Sequence, residues 1–265
     1  MTDQWVLNRR NFEGCWQGVG SWFERQDAQP IDWGTPSRVI DPTRYVISFS
    51  DADTGLWDGS GLFFAPGGTA QYPISRSTYN AGGGCWQFEG AGGQSSRRLD
   101  ADQPRFGHEI NLFQGRSRSM LVLIWTRSSD QWLLKLAGAV GFRCHDADIQ
   151  EPERPTCGTP NALLEPLRGW CGSMQRLTPT VGVDAQPSAQ EPLQFDPEQL
   201  LIHSCSVVMP DGLVFSVPEQ LPRGEFRLEV GGLLGPDLFQ QVSILFNASG
   251  ELTAWERRRF QPDSI

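Results

Sequence analysis

Glu109 and His108 are neighbours in a run that alternates by residue type. Phe106, His108, Ile110 and Leu112 share one parity; Gly107, Glu109, Asn111 and Phe113 share the other. On a strand this puts the carboxylate and the imidazole on opposite faces. A carboxylate facing an enclosed space can hold N–H donors, and an arginine can clamp an acid through paired hydrogen bonds. Arg76 and Arg105 are the arginines that fit this role. Around them the chain offers ring-bearing side chains: Trp33, Trp57, Phe63, Phe64, Tyr72, Tyr79, Trp86 and Phe88. Such rings either pack as core or wall a pocket for a flat apolar molecule. Ten tryptophans in 265 residues favour the pocket. The candidate ligand-binding residues are therefore Trp57, Phe64, Arg76, Tyr79, Trp86 and Glu109. For each charged member the competing reading is a surface charge or an internal salt link.

Other chemistries find less support. There is no Gly-x-Ser-x-Gly, and His108-Glu109 lacks a second histidine four residues after the first. With 3 histidines the chain offers little general-base chemistry, and no catalytic residue is assigned. The 6 cysteines form no Cys-x-x-Cys pair. Cys144-His145, Cys157 and Cys171 are spaced too irregularly for a metal site, so no metal is expected. Cys15, Cys85 and Cys205 lie in apolar runs and are expected as small core residues. Net charge is 22 − 31 = −9, with Lys135 the single lysine. That argues against nucleic acid as a partner, since phosphate backbones demand a basic footprint. Met1-Thr2-Asp3-Gln4-Trp5 has no basic region leading into an apolar run, and no stretch approaches ~20 apolar residues. The expected location is cytoplasmic, with the thiols free.

The elements that must position these residues are strands. Gly 29 and Pro 19 suit many turns and few long helices. Gly14-Cys15-Trp16-Gln17-Gly18 opens a first strand and is echoed by Gly169-Trp170-Cys171-Gly172. Phe106 to Trp132, through two turns, parallels Phe226 to Leu252, so that Glu109 falls opposite Glu229. Residues 148–162 are acidic and Pro-rich, a linker composition. The chain thus reads as all-β: two tandem antiparallel barrels with short helical caps, a first over 1–147 and a smaller second over 163–265.

Gly-x-Trp on a first strand, with an arginine on the last, resembles the calycin superfamily of lipocalins and fatty-acid-binding proteins. More narrowly, Asn11-x-x-Gly14-x-Trp16-x-Gly18 looks like the opening of a cyanobacterial and plastid family of tandem lipocalin-like proteins. The resemblance implies two lipocalin-like β-barrels, each closed by a guanidinium lying across an indole: Trp16 with Arg143 and Trp170 with Arg258. That family is similar in fold to the S-type and T-type phycobiliprotein lyases. The resemblance therefore implies a hydrophobic or tetrapyrrole (bilin)-like ligand, with arginines on its propionates and Glu109 on its pyrrole N–H groups. A phycobiliprotein or another photosynthetic protein is the implied partner. Chromophore lyase activity toward a cysteine of another protein, or a ligand-free assembly role, are the alternatives.

Overall fold

The computed structural model describes residues 3–26, 29–61, 70–128, 130–148, 151–154, 156–179 and 185–263. Asp3 starts the first element: its side chain accepts from the N–H groups of Trp5 and Val6 at 2.8 and 3.0 Å and caps α1 (Gln4–Phe12). The chain leaves the helix through Gly14, whose φ of 131° favours glycine. A Cβ there would lie 2.8 Å from the Cys144 sulfur. Nine strands follow: β1 (Gly14–Glu24), β2 (Arg38–Phe49), β3 (Thr54–Gly61), β4 (Gln71–Ser75), β5 (Cys85–Phe88), β6 (Ala91–Ser95), β7 (Arg105–Gln114), β8 (Ser117–Ser128) and β9 (Gln131–Cys144). They pair antiparallel in the order β4-β3-β2-β1-β9-β8-β7-β6-β5, so the first strand of the unit joins its last.

The second half repeats this plan in shorter form. Helix α2 (Pro160–Leu164) precedes β10 (Cys171–Leu177) and β11 (Glu191–Gln194). Then come α3 (Pro197–Leu200), β12 (Cys205–Val208), β13 (Leu213–Val217), β14 (Phe226–Gly235), β15 (Leu238–Phe246) and β16 (Leu252–Gln261). Their order is β11-β10-β16-β15-β14-β13-β12. Again first pairs with last, β10 with β16. The meander β14–β16 occupies the place of β7–β9, as the sequence repeat requires. The protein is therefore mostly β: two antiparallel sheets with a few short helices. Among the described residues neither ladder closes on itself, since β4 does not pair with β5, nor β11 with β12.

Each strand of β7–β9 buries both parities, because the first sheet has a core on each face. One core holds Trp16, Trp22, Tyr45, Trp57, Phe113 and Phe142, with Trp5 and Phe12 of α1 laid over it. The opposite face, with Trp86, Phe106, Leu121 and Trp125, packs directly on Phe215, Phe226, Val242 and Trp255 of the second sheet. Trp86 and Trp255 stack with centroids 6.2 Å apart, and both indoles donate to the Ser95 hydroxyl. The second sheet's far face is sealed by Leu163, Leu164 and Leu167 against Phe195, Phe239 and Phe260.

Part of the Pro-rich stretch is built into the seam between the sheets. Arg154 is 7% exposed and reaches Ser117, Ser119 and the Leu234 carbonyl. Asp211, 5% exposed, accepts from Arg143 at 2.6 Å and pairs with Arg154 at 3.4 Å.

The structure corrects both expected closures. Phe142 faces the inner core, so its neighbour Arg143 points the other way, to Asp211. The guanidiniums over Trp16 are those of Arg116 and Arg118, each 4.8 Å from the ring centre. Trp170 is only half-buried, at the edge of the α2 cluster, and Arg258 bonds Glu256 and Ser243. Cys85 is buried as expected, whereas Cys15 and Cys205 are partly exposed; all are free.

Candidate functional site

The concave face of the first sheet holds a cavity of about 330 Å³, lined chiefly by Trp57, Tyr72, Gln94, Glu109, Val122 and Ile124. Cross-strand register brings the polar residues together: Glu109 on β7 stands opposite Gln94 on β6 and Val122 on β8. Trp57 and Tyr72 are paired across β3 and β4 and stack with centroids 4.6 Å apart and planes 21° apart. Gly59 makes this wall possible. A Cβ at that position would sit 1.9 Å from the Trp57 ring, so only glycine lets the indole lie flat over its strand.

Glu109 is the chemical centre of the cavity. Its Oε1 accepts from Asn111 Nδ2 at 2.9 Å. It keeps some accessible surface because the cavity itself adjoins it, yet it lies deep in the protein. Burial pushes its carboxyl above the ordinary 4.5, while Asn111 and Arg118 pull the other way. A carboxyl in that state can offer a proton to an acceptor or, once ionised, accept from N–H donors. Burial likewise raises the phenols of Tyr72 and Tyr79, which stay neutral.

Deeper along the same face lies Arg118, fully buried, with the rings of Phe142, Tyr45, Trp16 and Phe12 at 4.3, 4.6, 4.8 and 5.4 Å. None of its three guanidinium nitrogens makes a hydrogen bond of sound geometry. Its charge is met by ring faces and by the field of Glu109, and burial lowers its pKa. Sequence reasoning missed it because no motif marks it. Its parity with Met120 and Val122 was the available signal.

Toward solvent the cavity meets a wider groove of about 790 Å³, which shares Gly83, Ser95 and Ser96 with it. Arg97, Arg98 and Arg105 line that groove and stand exposed. Arg97 donates to the Gly82 carbonyl and Arg98 pairs with Asp100 at 2.9 Å.

Of the six residues expected from sequence, Trp57 and Glu109 line the cavity. Tyr79 stands one step behind, its hydroxyl accepting from Gln94. Arg76 is elsewhere: it ties Asp3 to Asp53, at 2.7 Å for the second pair, and so fastens the start of α1. Trp86 belongs to the core between the sheets, where it stacks on Trp255. Phe64 lies outside the described residues. Arg105 is at the rim of the outer groove, and His108 faces the inter-sheet core among Phe106, Trp125 and Phe246, neutral, its pKa lowered by burial to about 3.

Two stacked antiparallel sheets, each pairing its first strand with its last around a concave face, define the class of fold. Among solved structures, the chain is similar over 99% of its length, at 19% identity and a TM-score of 0.71, to a protein with unknown function from the DUF3598 family of the cyanobacterium Nostoc punctiforme, which is covered completely. At that identity the likeness speaks for the fold alone. A tesB protein of Mycobacterium avium subsp. paratuberculosis aligns over 82% of the chain and 96% of its own at 11% identity, but its TM-score of 0.15 carries no argument. No family model matches the sequence, and no curated protein matches it.

Proposed function

We propose that the first sheet is the wall of a lipocalin-like binding site for a flat, apolar molecule that carries acidic groups, of the kind a tetrapyrrole (bilin) represents. The observation that supports this reading most is the cavity's own polarity. A stacked Trp57–Tyr72 wall faces the single deep carboxyl of Glu109, while the arginines stand outside at the adjoining groove. An apolar body would enter against the rings, and N–H donors would meet Glu109. Peripheral carboxylates would reach Arg97, Arg98 or Arg105. Binding in this reading leaves the Arg118–Trp16 end of the face closed.

Titration with biliverdin and with a medium-chain fatty acid, read by tryptophan emission, tests the reading. Biliverdin should quench emission at one molecule per chain. Trp57→Phe should remove much of the quenching, and Glu109→Gln should weaken binding about tenfold, the scale of one buried charged hydrogen bond. Quenching by neither molecule, or quenching untouched by both variants, rejects it.

A further inference from the structure

The second sheet carries its own buried glutamate at the repeat position of Glu109. Glu229 on β14 has 0% of its side chain exposed and sits within an unbroken row of alternating charges. Arg227 Nε lies 3.0 Å from Glu229 Oε1, and Arg258 lies 4.0 Å from Oε2 on the other side. Arg258 continues to Glu256 at 2.5 Å, and Glu256 to Arg176 at 2.7 Å. The Glu229 carboxylate is further satisfied by Gln241 at 2.8 Å and Ser243 at 2.6 Å. Register explains the row: Ser243 stands opposite both Glu229 and Glu256, and Glu256 opposite Arg176, so β14, β15, β16 and β10 present these residues to one face.

A row of odd length cannot be neutral. Three arginines against two glutamates leave one positive charge when both acids are ionised. The interior members are at most 13% exposed, whereas the two ends, Arg227 and Arg176, are 40% and 43% exposed. Both ends line one cavity of about 500 Å³, whose apolar lining includes Ile202, Leu245 and Phe246. His203 also lines it, with Nε2–H donating to the Arg227 carbonyl at 2.8 Å. Glu225 stands exposed at the rim, where solvent screens it.

We infer that this second cavity is a separate binding site for a small amphiphilic monoanion, its carboxylate or comparable head held by Arg176 and Arg227 and its apolar part on Ile202 and Leu245. The anion would meet the two arginines that the row's own glutamates leave in excess by one charge. An unbranched carboxylate long enough to cover the apolar wall matches the cavity's size and lining. The site is independent of the first cavity, because the shared inter-sheet core lies between the two concave faces.

Calorimetric titration with decanoate and with decanol tests this, using the full chain. An Ile124→Trp background fills the first cavity and so separates the two sites. Decanoate should bind that background at one site. Arg176→Gln and Arg227→Gln should each weaken it tenfold or more while changing decanol binding less than twofold. Ile202→Trp fills the second cavity without replacing any residue of the charged row and should abolish decanoate binding; it decides the matter if an arginine variant fails to fold. Loss of decanoate binding in the Ile124→Trp background, an unchanged affinity in the Gln and Ile202→Trp variants, or no binding to the parent protein each overturns the inference.

Discussion

Glu109 is a carboxylate whose position is expensive, and its energetics can be read through pH. Burial raises its pKa, so the folded state holds the proton more tightly than the unfolded chain. The sign follows from linkage. This group favours folding fully below the ordinary value of 4.5, and the benefit is lost as pH rises through the elevated folded value. Glu229 shifts in the same direction for the same leading cause. The urea midpoint of the protein should therefore fall as pH increases from mildly acidic conditions. Glu109→Gln should flatten part of that decline, and Glu229→Gln another part. A slope identical in the parent and in both variants would contradict the assignment. That Glu109 faces an enclosed space was legible because its run alternates cleanly. Trp86 was misread because an aromatic on a strand looks the same whether it faces a ligand or a second sheet.

At the scale of elements, the guanidiniums over the Trp16 ring come from β8 and the turn before it, not from the strand that ends at Cys144. Arg118 and Arg116 flank the indole, and Trp16 Nε1 donates to the Phe12 carbonyl of α1 at 2.8 Å. Trp16→Ala should cost ~3–5 kcal/mol in chemical denaturation, the range for truncating a buried aromatic. Arg118→Met should alter tryptophan emission, since a cation leaves the ring face. Arg143→Met should leave that emission unchanged while lowering stability through Asp211. The reverse pattern would restore the closure inferred from sequence. The pairing was misassigned because each arginine was assigned a face by its strand's place in the chain. Parity against Phe142 and Met120 is the better guide, but it becomes visible only when the inner core is known.

The whole molecule is joined by apolar contact and by charged pairs: Asp211 with Arg143 and Arg154, and Arg25 with Glu219. Asp211 has two arginine partners and is almost completely buried, so Asp211→Ala leaves Arg143 without its carboxylate and Arg154 with Glu151 alone, at 4.0 Å. A loss of ~3–5 kcal/mol is expected, as for breaking a buried ion pair by removing one partner. Because Trp86, Phe106 and Trp125 share their core with Phe226, Phe246 and Trp255, the two sheets should unfold in one cooperative transition. Tryptophan emission and far-UV circular dichroism should report coincident urea curves. Two separated transitions would mean that the seam contributes little.

Local pattern was enough to establish the β class, the tandem repeat, the placement of Glu109 and Glu229 on matching strands, and the parity that separates Glu109 from His108. These depend on alternation and turn chemistry, which a strand carries within its own residues. Only the tertiary structure decided that the outer face of one sheet is the inner wall of a shared core. That sets Trp86 against Trp255 and sends Arg143 to Asp211. It also decided that Arg76 anchors a helix and that Arg118, marked by no motif, lies among five rings. Such outcomes depend on which face meets which partner across large sequence separations, and a period of two residues says only that two faces exist.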